Sequence, residues 1–150
     1  MVNSESASIV ASVQPGRDTR LHPVHAVLLS GSLPLFLGAL LSDLAYSGSY
    51  QVQWTNFASW LIVGGLVFSG FALLWALIEL LRAHRKGRRE LLPVLVLAAA
   101  WVLGFIDSLV HAKDAWASMP AGLILSALVT ALIIGAIWLS FSGARSGEAR

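Results

Sequence analysis

The stretch AGLILSALVTALIIGAIWLSF, residues 121–141, carries no charge over a length that matches a bilayer's hydrocarbon core, roughly 30 Å at roughly 1.5 Å per helical residue. Three runs of the same kind precede it: Ala26 to Tyr46, Phe57 to Leu81 and Leu91 to Val110. Inside lipid every backbone N–H and C=O must be bonded within its own segment, so isolated runs of this length read as helices. The expected architecture is an all-α membrane protein, a four-transmembrane-helix up-down-up-down bundle occupying residues 21–141. Residues 1–20 and 142–150 read as disordered cytoplasmic tails.

Composition agrees. Of 150 residues 57% are apolar and only 12% charged, about half the charge of an ordinary soluble domain. The spans leave no room for a separate soluble catalytic domain, so the expectation is a protein that is not an enzyme and holds no cofactor. The absence of cysteine excludes disulfides, thiolate metal sites, cysteine nucleophiles and covalent c-type haem attachment. Residues 1–20 lack the basic and apolar regions of a signal peptide.

The net charge of +2 is topological and does not point to nucleic acid. Arg17 and Arg20 precede span one, Arg82, Arg85, Lys86, Arg88 and Arg89 join spans two and three, and Arg145 and Arg150 follow span four. Lys113 alone falls in the other set of connections. By the positive-inside rule both termini face the cytoplasm, and 47–56 and 112–120 face outward through connections of roughly ten residues. Trp54, Trp60, Trp116, Tyr46 and Tyr50 gather at that outer boundary as expected interfacial anchors.

Pro23 suits a first helical turn, as do Pro93 and Pro120, whereas Pro34 in mid-span removes a bond to Ser30 and predicts a kink. Gly64, Gly65, Ser69 and Gly70 on span two, and Ala127, Ala131 and Gly135 on span four, mark faces suited to close helix packing.

Ionisable groups inside spans are expensive and need an account. Asp43, Asp107 and His111 share the outer leaflet, with Asp107 and His111 one turn apart on the stripe that also holds Ala100 and Gly104. Such a set suits a water-facing vestibule for proton exchange or for loosely holding a cation, a metal included. It equally suits helix glue, the groups pairing with one another or with Lys113. At the inner boundary His22, His25 and Glu79 lie at similar depth. A His-x-x-His step with a glutamate suits a divalent ion or a proton relay, and equally a polar helix start with Glu79 paired to Arg82. No ionisable residue bridges the two groups, which disfavours a pump. The histidine depths disfavour a bis-histidine haem, leaving only an inner-edge pair of His25 and His84.

The run His22-Pro23-Val24-His25-Ala26, the Leu37 to Tyr46 segment ending Ser42-Asp43-Leu44-Ala45-Tyr46, then Trp54 and the Phe57 to Val67 segment with Trp60-Leu61 before Gly64-Gly65, resemble the bacterial membrane family called domain of unknown function 2231. Members commonly open His-Pro-x-His-Pro, and here Ala26 replaces the second proline. The resemblance implies a small multi-pass protein of the bacterial inner membrane, uncharacterised in reaction, substrate and cofactor. It makes His22, His25, Asp43 and Trp60 the positions for a shared role, and relatives that adjoin redox domains favour a redox-accessory role slightly. The leading expectation is an inner-membrane bundle whose partners are the lipid bilayer and either its own copies or subunits of a membrane complex. The alternatives are a redox-accessory or metal- or haem-binding protein and a proton-linked small carrier.

Overall fold

The computed structural model describes residues 21–82, 88–113 and 115–148. The expected tail at 1–20 and the connection holding His84, Arg85 and Lys86 lie outside the described residues, as do the side chains of Arg88, Arg89, Trp116 and Arg145. Four long helices make up the fold: α1 (Pro23–Ser49), α2 (Val52–Arg82), α3 (Arg88–His111) and α5 (Ala121–Glu148), with the one-turn α4 (Ala115–Ser118) between the last two. All four are long and apolar enough to cross a membrane, and no strand occurs among the described residues. In the bundle α1 packs against α2 and α5, and α3 packs against α2 and α5.

His22 caps α1 by accepting a bond from the Val24 N–H at Nδ1, 3.3 Å away, while Pro23 supplies the first turn without a donor to satisfy. The helix runs on through Pro34. It stops at Tyr50, whose left-handed backbone (φ 55°) lets its N–H close on the Tyr46 carbonyl at 2.8 Å. Helix α2 begins at Val52, so this connection is far tighter than the ten residues expected. The polar residues at 47–56 are compatible with helix and simply prolong both rods. Ser47 and Ser49 help by donating to the carbonyls of Leu44 and Ala45. At the other extreme α5 continues to Glu148, beyond the expected boundary at Phe141.

The core is a column of Leu29, Phe36, Ile62, Leu97, Val129 and Ile133, with small alanines between them. Phe36 occupies its centre. A Cβ at Gly65 would lie 2.8 Å from its ring and one at Gly104 3.3 Å, so both glycines exist to admit that ring. Gly31 likewise faces Phe68, and Gly70 faces Trp101, whose indole N–H bonds across to the Leu66 carbonyl at 3.1 Å. Lipid-facing positions carry large apolar groups, with Trp60 71% and Trp138 74% exposed. Tyr46 departs from expectation. It is 2% exposed and belongs to the interior rather than to the aromatic belt, because it shares the inward face of α1 with Ala39, Ser42 and Asp43.

Gly65→Ala should destabilise the bundle by roughly 1–3 kcal/mol, since the fully enclosed Phe36 has nowhere to move. Gly48→Ala, with open space around it, should change stability by less than about 1 kcal/mol. Thermal unfolding of the two variants in detergent micelles measures the contrast.

Candidate functional site

At the end of the bundle where α1 turns into α2, three helices bring four polar side chains together in the interior. Asp43 comes from α1, Asp107 and His111 from α3, and Ser126 from α5. The spacing of Asp107 and His111 puts both on one face of α3, as i and i+4 residues are neighbours. His111 Nε2 lies 2.8 Å from Asp43 Oδ1. The Ser126 hydroxyl is 2.6 Å from Asp43 Oδ2 and 3.0 Å from Asp107 Oδ2. His111 Nδ1 closes the circuit, 3.1 Å from Asp107 Oδ1.

The four contacts form a ring around two carboxylates, an imidazole and a hydroxyl. The side chains of Asp43, Asp107 and His111 are completely withdrawn from the surface. The ring's weakest link is its last. Nδ1 directs its hydrogen at the backbone carbonyl of Asp107, 3.0 Å away, so Asp107 Oδ1 has an ionic neighbour but no hydrogen bond of its own. One turn along α5, Thr130 donates to the Ser126 carbonyl at 2.7 Å and lies 3.2 Å from the Phe36 carbonyl of α1. Gly122 meets the His111 ring, where a Cβ would stand 2.8 Å from Cε1.

The ring is next to a cavity. A vestibule of about 420 Å³ opens beside it, lined by Gln53, Thr55, Asn56 and Ser59 from the start of α2 and by His111 and Lys113. His111 therefore belongs to both. Ser59 donates to the Thr55 carbonyl at 2.9 Å, whereas the Thr55 hydroxyl is buried with no partner.

The outer group expected from sequence is thus assembled, with Lys113 at the vestibule instead of in an ion pair with the carboxylates. The inner group is joined differently. His22 is exposed and stacks on Trp75 with ring centroids 4.6 Å apart, and the Trp75 indole donates to Glu79 at 2.8 Å. The indole, rather than Arg82, is the partner of Glu79 that the structure shows. His25 is buried, and its Nδ1 has no partner. Among the described residues no three His, Cys, Asp or Glu side chains are disposed to hold a metal ion. In the ring this follows from geometry, since the nitrogens and carboxylate oxygens point at one another instead of converging on an empty point.

Sequence reasoning passed over Ser126 as a partner of the carboxylates, and missed Trp75 and Thr55. Depth was the available signal for Ser126: it sits five residues into its helix, level with Asp107 four residues from the end of an antiparallel one. For Trp75 it was the i, i+4 step to Glu79.

Fold and site define a four-helix membrane protein with a buried carboxylate–imidazole ring at one end. The chain belongs to the family described as "Predicted membrane protein (DUF2231)", whose model matches residues 21–145. Comparison with curated proteins and with solved structures finds no match.

Removing one partner of a buried ion pair leaves the other uncompensated, so Asp43→Ala should lower unfolding stability by about 3–5 kcal/mol. Ser126→Ala removes a single hydroxyl donor and should lower it by about 1–3 kcal/mol. Chemical denaturation in micelles, comparing each variant with the parent, measures both.

Proposed function

We propose that the chain is a non-enzymatic protein of the bacterial inner membrane whose working element is a proton-holding ring, reached from the outside through the vestibule. The orientation rests on charge: nine of the ten basic residues fall on the side of the termini, which supports a ring in the outward half of the bundle.

The observation that carries the reading is a hydrogen count. Nδ1 of His111 faces a carbonyl, which only accepts, so Nδ1 carries a hydrogen. Nε2 and Asp43 share a second. Ser126 brings one hydrogen to two carboxylate oxygens, and a hydroxyl cannot donate to both at once. The remaining contact becomes a hydrogen bond when one further proton resides on the carboxyl pair. With that proton the ring is electroneutral, an imidazolium balancing one carboxylate. Without it a net negative charge is enclosed away from water, an arrangement costing several kcal/mol.

Among the described residues the charged and titratable groups around this proton are few, and Tyr46 shares the inward face of α1 with one of them, Asp43. Asp43 faces it from α1 and Asp107 and His111 from α3, while α5 offers Ser126 and α2 contributes only the neutral vestibule residues. Lys113 stands at the vestibule. Gain or loss of the proton changes the bond that joins α1, α3 and α5, so the ring couples the outer pH to helix packing.

Infrared spectroscopy of the protein in micelles at neutral pH, with carbon-13-labelled aspartate, should show the carbonyl stretch of one carboxylic acid, lost in Asp43→Asn or Asp107→Asn. Carboxylate bands alone would overturn the reading.

A second reading is association along α5. The glycines on α1, α2 and α3 are mostly covered by side chains of the same chain, but Ala127 and Ala131 remain exposed beside Leu128, Ile134 and Trp138. Small residues four apart on a lipid-facing helix allow a second helix to approach closely. Cross-linking in native membranes should give a dimer that Ala131→Leu abolishes; a monomer throughout would remove this reading.

A further inference from the structure

We propose that the vestibule beside the ring is a binding site for a small oxyanion, a carboxylate or phosphate group carried either by a free solute or by a lipid headgroup. The proposal deepens the proton-holding reading, since His111 belongs to both sites, but it rests on the vestibule's own residues.

Size comes first. A cavity of about 420 Å³ falls at the lower end of the clefts that hold small ligands, about 300–1,000 Å³. Its chemistry comes next. Among the described lining residues Lys113 is the cation and none is acidic. Asp43 and Asp107, the nearby carboxylates, are turned to His111 and Ser126 and do not line it. Gln53 and Asn56 add amide donors, and the vestibule lies along the first turns of α2, where helix N–H groups without intrahelical partners favour negative charge.

Thr55 supplies the independent observation. Its residue is 5% exposed, it lines the vestibule, and its hydroxyl has no hydrogen-bond partner. A buried hydroxyl left unpaired costs about 1–3 kcal/mol, a penalty removed when rotation about χ1 turns it to an acceptor seated in the vestibule that Thr55 lines. Ser59 does not compete, because its own hydrogen goes to the Thr55 carbonyl. A carboxylate or phosphate oxygen, with several lone pairs, satisfies Thr55 Oγ1, an amide and the Lys113 ammonium together.

The test titrates sodium acetate and, separately, inorganic phosphate into the full chain in neutral detergent micelles, at ionic strength held constant with chloride. Nuclear magnetic resonance shifts of Thr55, Asn56 and Lys113 report binding. A second arm uses nanodiscs of phosphatidylglycerol without added solute. Saturable shifts in micelles assign a free oxyanion; shifts confined to the nanodiscs assign a headgroup. In whichever arm responds, Lys113→Gln should weaken binding at least about threefold. Thr55→Val should weaken it similarly while leaving thermal stability equal or higher, because it deletes an unpaired buried hydroxyl. Asp114→Asn is the control for the neighbouring acid and should not weaken binding. No saturable response in either arm, or a response indifferent to both Lys113→Gln and Thr55→Val, overturns the proposal. Loss of binding with the acid carbonyl intact removes the vestibule site alone, and binding without that carbonyl removes the proton-holding ring alone.

Discussion

A bilayer's interior offers no hydrogen-bond partners, and every polar group that enters it must find one within the protein. For the backbone the answer is helix. For side chains it is the neighbouring carbonyl: Ser32, Ser42 and Ser69 each donate to their own helix three or four residues back. The Asp43–His111–Asp107–Ser126 ring solves the same problem for charge, which on the insertion scale costs about 2.5–3.5 kcal/mol for a carboxylate left unpaired at a helix centre. Against that background the exceptions stand out. Among the described residues only His25 Nδ1, Thr55 Oγ1 and Asp107 Oδ1 are buried side-chain atoms without a hydrogen bond, and two of them belong to the ring and its vestibule.

The ring also settles how the helices are tied. Its four contacts join α1, α3 and α5 but omit α2, which is held instead by the two-residue turn from α1, by Gly65 receiving Phe36 and by the Trp101 bond to Leu66. Two kinds of attachment therefore operate in one small bundle. Steric fit fixes α2, while polar contacts link the other three.

Spans were legible because hydropathy and length are properties of contiguous sequence. So was the pairing of Asp107 with His111, which follows from helical spacing on one face. Asp43 could be matched to them by depth, since both spans end at the same boundary. What could not be read was rotation about each helix axis. Tyr46 was assigned to the aromatic belt on its position along α1, yet it faces inward with Asp43. Ser126 sits at the right depth, but only the bundle's geometry aims it between two carboxylates. The tight α1–α2 connection was hidden for another reason: hydropathy marks where lipid ends, not where helix does, and residues 47–49 and 52–56 are helical without being greasy.

Phe36 has one more consequence. Its ring fills the layer next to the polar circuit, wedged against Gly65 and Gly104, with its carbonyl 3.2 Å from the Thr130 hydroxyl. Beyond it the column continues through Leu29, Leu97 and Ile133. An aromatic stopper of this kind gives the circuit an apolar floor. On the proton-holding reading, that floor confines exchange to the end of the bundle at which the proton arrives.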